Sequence, residues 1–246
     1  MFRRTLQVAA LAAMLAHARL AFAGQFNFYW NDCMGSVAED GSEIATPMNV
    51  RFNCTASTAI KAAVGSFILW VPMTDFASIE VVIELQAEAE TLPPWWDFDP
   101  DPGACHDASL FMTFDFSILS NSACIDPFGR PAMGGLASYT PFRNRARITG
   151  VAAIDPRFPG SLAAGVWYYG FRLALKTDKA SDPGSCEGCA TPVALLLTYL
   201  KAAGVAAGSW QDCSEWATNG CITWNSPGCY VATKNRTWGQ VKGLYR

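Results

Sequence analysis

Ile79-Glu80-Val81-Val82-Ile83-Glu84-Leu85-Gln86 is the stretch that decides how this chain is built. Ile79, Val81, Ile83 and Leu85 alternate with Glu80, Val82, Glu84 and Gln86. A period of two puts successive side chains on opposite faces of a strand, so one face is apolar and the other wet. The same period returns on both sides. Met48, Val50, Phe52 and Cys54 alternate with Asn49, Arg51 and Asn53. Met112, Phe114, Phe116 and Ile118 alternate with Thr113, Asp115 and Ser117. Trp167, Tyr169, Phe171, Leu173 and Leu175 alternate with Tyr168, Gly170, Arg172, Ala174 and Lys176, and a further strand is expected near Arg145 to Ile154. Val64 to Val71 and Val193 to Leu200 are more continuously apolar, as central strands can be. Pro192 opens the second of these, one of the few places where a sheet tolerates proline.

Turn clusters separate these runs at residues 39–42, 99–103, 126–131 and 181–184, each rich in Asp, Gly, Ser or Pro. No helix-period segment of ten residues stands out in the body of the chain. The expectation is an all-β protein, an antiparallel β-sandwich of Ig-like or jelly-roll type, stabilised by disulfides. Residues 202–227 read as a loop-rich segment. Thr237-Trp238-Gly239-Gln240 fits a capping box, so a short C-terminal helix with Trp238, Val241 and Leu244 or Tyr245 on one face is expected.

Residues 1–23 read as an export signal. Arg3 and Arg4 form a basic start, residues 6–16 are apolar, and Ala21-Phe22-Ala23 is a small-x-small cleavage site that makes Gly24 the first mature residue. An Arg-containing, acid-poor mitochondrial presequence is the rival reading, and the nine cysteines speak against it. Residues 24–246 are then expected as a single sandwich domain. Removing Arg3, Arg4 and Arg19 leaves 15 basic residues against 21 acids, a net charge of −6, which argues against a nucleic-acid partner. No apolar run of eighteen residues follows the signal, so no membrane span is expected in the mature chain. The expected location is secreted, periplasmic or cell-surface.

All nine cysteines lie after the signal, which predicts disulfides and one cysteine left over. The candidates are Cys33 with Cys54 and Cys105 with Cys124. Each pair flanks one turn region and closes a loop of about 20 residues, for about 3 kcal/mol in the loop-entropy model. Cys186-Glu187-Gly188-Cys189 is a CxxC, but no helix start follows it, so a structural loop is favoured over thiol redox chemistry. Cys213, Cys221 and Cys229 are spaced by eight, which is not a zinc knuckle, and one histidine, His106, remains after the signal.

The most distinctive stretch is Trp95-Trp96-Asp97-Phe98-Asp99-Pro100-Asp101-Pro102-Gly103. Asp97, Asp99 and Asp101 recur as in the first half of a calcium loop. Pro102 stands where the loop needs glycine and Ala108 where it needs glutamate, so a turn in which Asp and Pro set the conformation is the favoured reading. Trp95 and Trp96 follow Pro93-Pro94. If that segment is extended, the two rings diverge, one into the core and one, Trp96, into solvent where it can stack on a sugar. Trp70 and Trp167 are expected to fill the core. Arg143, Arg145 and Arg147 form a basic row that could bind an anionic glycan, and Glu80, Glu84 and Glu88 form an acidic row that could pair with it across strands.

No nucleophile elbow is present, and His106 is read as a surface residue rather than a base. Nothing singles out two carboxylates for glycoside hydrolysis, and no cofactor is expected. The sequence therefore predicts an exported, non-catalytic binding or structural module of unknown ligand, with a glycan or a protein as partner. A carbohydrate-binding module using Trp95 and Trp96 is the first alternative, and an extracellular hydrolase or thiol-redox enzyme the second.

Overall fold

The computed structural model describes residues 24–33, 48–55, 59–99, 103–119, 123–181, 183–214, 219–226 and 228–229. The signal segment, Asp101 and the capping box at 237–240 lie outside the described residues. Two sheets share one hydrophobic core. The first has four strands in the order β1 (Gln25–Trp30), β3 (Ile60–Ile68), β9 (Trp167–Lys176) and β5 (Leu110–Thr113). The second follows the order β2 (Asn49–Val50), β12 (Cys221–Trp224), β10 (Val193–Gly204), β4 (Met73–Ala87), β7 (Arg145–Ala153) and β6 (Met133–Pro141). Two short strands join it off this path: β11 (Trp210–Asp212) pairs β10, and β8 (Gly160–Leu162) pairs β4. Among the strands of the described residues the pairing is antiparallel except for β2 with β12, which run parallel. The wholly antiparallel sandwich is corrected at that one edge.

The alternation in residues 79–86 becomes the spine of the second sheet. Ile79, Val81, Ile83 and Leu85 are fully buried, while Glu80, Glu84 and Gln86 are half-exposed. Burying each of those four side chains stabilises the fold by about 1.5–3 kcal/mol. On the neighbouring strand Ala146, Ile148 and Ala152 face the same core. The continuous apolar run of β3 also has a reason. It lies between β1 and β9, and every residue from Lys61 to Phe67 is buried. At Gly65 a Cβ would stand 2.1 Å from the Phe171 ring, so only glycine lets that ring lie across the strand.

Four disulfides tie the sheets and loops: Cys33–Cys124, Cys54–Cys189, Cys105–Cys186 and Cys221–Cys229, with Cys213 free and buried. The expected pairs Cys33–Cys54 and Cys105–Cys124 are both wrong. Nearness in sequence is not nearness in space here: the intervening strands carry Cys33, Cys54 and Cys105 to partners 91, 135 and 81 residues away. The segment between β5 and β6 is held on the first sheet by Cys33–Cys124 and by Phe116 stacked on Tyr169 at 5.0 Å, and Tyr169 Oη in turn donates to Asp32 Oδ1 at 2.9 Å.

Candidate functional site

The Trp95-Trp96 stretch folds as one turn of 3₁₀ helix, Pro94–Trp96, with Pro94 in its first turn. Proline presets the φ that such a turn needs. Trp96 N–H donates to Pro93 O at 2.9 Å and Trp95 N–H to Glu187 O at 2.9 Å. Gly188, at φ 97°, packs so closely on Pro93 that a Cβ there would lie 2.1 Å from the ring. The turn is thereby pressed onto the Cys186–Cys189 loop.

Both rings are fully buried, so the expectation of one exposed ring is overturned. An extended pair would diverge by a half-turn, but consecutive residues of a 3₁₀ turn are only a third of a turn apart, so both can face inward. They enter an aromatic cluster. Trp95 stacks on Trp224 at 5.2 Å, Trp96 stands edge-on to Trp224 at 5.5 Å, and Phe98 stands edge-on to both. Trp224 Nε1 donates to Cys189 O at 2.8 Å, and Tyr139 Oη donates to Trp96 O at 2.6 Å. Burial raises the Tyr139 pKa well above the ordinary phenol value, so the hydroxyl stays a donor. The indole N–H groups of Trp95 and Trp96 are buried without a hydrogen-bond partner inside this cluster. Neither ring presents a face to a sugar.

His106 is buried too, which corrects its reading as a surface residue. Its Nδ1 lies 2.8 Å from Trp95 O, and its Nε2 lies 3.1 Å from Asp178 Oδ1, which also accepts from Ser109 Oγ at 2.8 Å. Ser109, Asp178 and His106 are the residue types of a hydrolase triad in the wrong order. Here the carboxylate stands between hydroxyl and imidazole, so the imidazole does not touch the serine. Both ring nitrogens are engaged, and Cys105 beside His106 is bonded to Cys186. The CxxC reading as a redox pair falls with the same observation. Cys186 and Cys189 go to different partners, Cys105 and Cys54, and cannot close on each other.

Asp97 and Asp99 are half-buried, and the Asp99 N–H donates to Asp97 Oδ1 at 3.3 Å, an Asx turn of the kind expected of an Asp-Pro segment. Among the described residues no three His, Cys, Asp or Glu side chains converge as a metal group would require. The basic row is divided. Arg147 Nε donates to Glu84 Oε1 at 2.7 Å, and these two residues are register partners across β7 and β4. Arg143 lies 3.7 Å from Glu90, and Arg145 sits over the Phe142 ring at 5.4 Å. Glu80 pairs with Lys201 at 3.8 Å, and Glu88 Oε1 accepts from Ser226 Oγ at 3.2 Å. Cross-strand pairing thus accounts for Arg147, the last member of the row.

Two tryptophans that sequence reasoning did not assign to a site lie on the surface. Trp70 is 56% exposed and Trp210 is 54% exposed, against the expectation that Trp70 fills the core. Trp70 lies in the turn between β3 and β4, beside Pro72, and Trp210 opens β11 after the Gly208 turn. Proline two residues on was the available signal that Trp70 sits at a chain reversal rather than in a strand. Gln211 Nε2 donates to Val71 O at 2.7 Å and links the two tryptophan-bearing segments. The hairpin from β10 to β11 is held by Asp75. Its carboxylate accepts from Ser209 Oγ at 2.7 Å and from the Ala206 N–H at 3.0 Å, and its carbonyl accepts from the Val205 N–H at 2.9 Å. These hydrogen bonds, that of Ser209 first, hold the Asp75 carboxyl below the ordinary carboxylate range. Gly204 closes against the pair, with room for no Cβ beside Asp75 Oδ1 and Ser209 Oγ. Lys201 Nζ sits 5.8 Å from the Trp210 ring.

No protein-family model matches this chain, and no curated protein matches it. Among solved structures it is similar, at 13% identity and a TM-score of 0.29, to a crystal structure of a Salmonella alpha-2-macroglobulin mutant, over 83% of this chain and 9% of that one. The chain therefore spans less than a tenth of the protein it aligns with.

Proposed function

We propose that the protein is an exported, non-catalytic binding or structural module, a sandwich of Ig-like or jelly-roll type that works through its surface. The observation that carries this reading is the separation of Cys186 from Cys189 into two disulfides beside a histidine with both nitrogens engaged. The residues best suited to chemistry are thus structural, and they brace the Trp95–Trp224 cluster. Four disulfides fit an oxidising compartment, and no helix among the described residues is long and apolar enough to cross a membrane. Rigid sandwiches commonly carry their function on loops and strand ends, which the scaffold positions.

The test is direct. Expressed with its first 23 residues in a secreting host, the protein should be recovered outside the cytoplasm, starting at Gly24 and with one thiol per chain. The purified protein should release no product from polysaccharide, peptide or ester substrates and should not reduce insulin disulfides. Turnover of any of these that co-purifies with the protein overturns the non-catalytic reading.

A further inference from the structure

We infer that Arg172 is the receptor for a carboxylate of a uronic-acid polysaccharide, an inference that rests on the binding-module reading and gives it a site and a ligand class. Among the described residues Arg172 is the one arginine that is not exposed. Arg143, Arg147 and Arg157 are exposed, and each pairs with a carboxylate. Arg130 and Arg145, also exposed, lie over aromatic rings. The half-buried Arg172 guanidinium has neither an ion pair nor a hydrogen bond among the described residues. Burial pushes its pKa down, and no neighbouring carboxylate offsets that. A guanidinium taken out of water without a partner costs free energy, and a bound anion is what offsets it. Groups perturbed in this way cluster at functional sites.

The register builds the site around it. Tyr29 lies opposite Val64, Val64 opposite Arg172, and Arg172 opposite Thr113, so these four side chains share one face of the first sheet. The residues just before them, Phe28, Phe171 and Met112, belong to the core, so this row faces away from it. Val64 and, one row along, Ala174 are fully buried and make a low apolar floor. Tyr29, Arg172, Thr113 and Phe111 are half-exposed above it. Phe111 is the register partner of Ala174 and stands diagonal to Arg172 on β5. Tyr29 stands two strand spacings, about 10 Å, to the other side. Arg172 therefore has an aromatic side chain on each flank. Lys176, exposed on the same face four residues along β9, adds a second cation for a polymer of repeated carboxylates. These surroundings select the ligand. A guanidinium forks both oxygens of a carboxylate. A sugar ring offers a C–H face to the aromatic rings and hydroxyls to Thr113, and a uronic acid joins that ring to the carboxylate. A neutral glycan leaves the guanidinium unpaired. A protein partner needs a contiguous apolar centre, whereas here two separated rings flank a charge.

Native affinity electrophoresis in gels containing polygalacturonate or alginate reads this, with dextran sulfate, hydroxyethylcellulose and polyglutamate gels beside them. A uronate gel should retard the protein. Arg172→Met should weaken that retardation by about tenfold or more, with Arg172→Lys in between, because lysine keeps the charge and loses the fork. Thermal melts give an independent reading. Without ligand, Arg172→Met should melt at or above the parent's temperature, since it removes an unpaired charge and keeps an unbranched apolar stem. The uronate polymer should raise the melting temperature of the parent and not of Arg172→Met. A fall of more than a few degrees in unliganded Arg172→Met gives the guanidinium a partner inside the fold and overturns the site. No retardation in either uronate gel overturns the assignment and leaves the module reading to its own experiment. Retardation that persists in Arg172→Met overturns the site while supporting the module. Retardation by dextran sulfate or hydroxyethylcellulose alone overturns the carboxylate. Retardation by polyglutamate alone, removed by Arg172→Met, gives the site to an acidic peptide and overturns the glycan.

Discussion

Removing the Cys54–Cys189 disulfide should cost this protein about twice what removing Cys221–Cys229 costs. The perturbations are the paired substitutions Cys54→Ala with Cys189→Ala, and Cys221→Ala with Cys229→Ala. The first bridge spans 135 residues and the second spans 8. In the chain-entropy model a bridge stabilises by restricting the unfolded chain, and the effect grows with the logarithm of the loop. That gives about 5 kcal/mol for the long loop and about 2.5 kcal/mol for the short one. For a domain of this size each kcal/mol shifts Tm by about 2–4 °C, so the expected falls are about 10–20 °C and about 5–10 °C. Thermal melts of the two oxidised variants measure the difference, and urea titration checks the free energies. A thiol count in denaturant tests the connectivity itself. The first variant should still show one thiol per chain, that of Cys213, because both partners of one bridge have gone. Were Cys54 bonded instead to its sequence neighbour Cys33, and Cys189 to Cys186, the same variant would expose three. Three thiols, or a larger loss from the short bridge, would refute the reasoning.

The burial contrast among the tryptophans gives a second expectation: Trp95→Ala should cost about 3–5 kcal/mol in urea unfolding, since it opens a cavity among Trp96, Phe98, His106 and Trp224, whereas exposed Trp210→Ala should stay within about 0.5 kcal/mol. Equal losses would contradict the placement of the two rings. Asp75 ties the β10–β11 hairpin as a carboxylate held below its ordinary value of 3.8, so its contribution is present above that value and lost as pH falls through the lower folded-state value. Melts from pH 5 to pH 2 should therefore fall more steeply for the parent than for Asp75→Asn, and parallel acid limbs would remove Asp75 from the account. Burial pushes the Cys213 thiol up to about 12, so a disulfide reagent at pH 8 should leave it unmodified in the native protein and modify it fully in denaturant; rapid native labelling would show that the site opens.

Much of the architecture was legible because it follows from a period. Alternation in residues 79–86 needs only the local geometry of a strand and water on one side, and those residues lie in β4; residues 167–176 also form a strand, β9, but one buried on both faces, so the wet face expected there is absent. The Glu84–Arg147 pair was legible for the same reason, since side chains on one face of adjacent strands must meet. The nine cysteines pointed to an oxidising compartment, and the acidic balance away from a nucleic-acid partner, without any fold in hand. Partnership was a different matter. Cys33 bonds Cys124 because the sheet order carries β3 beside β1 and β9, and sequence distance carries no record of that order. Trp95 and Trp96 are buried because a 3₁₀ turn turns both inward and Trp224, far away in the chain, offers them a face. Trp70 and Trp210 are exposed because a turn and a short edge strand bring them to the surface, although their hydropathy is that of the buried rings. Hydropathy states what burial of a ring contributes; which rings receive it depends on long-range packing, where every candidate competes for the same interior.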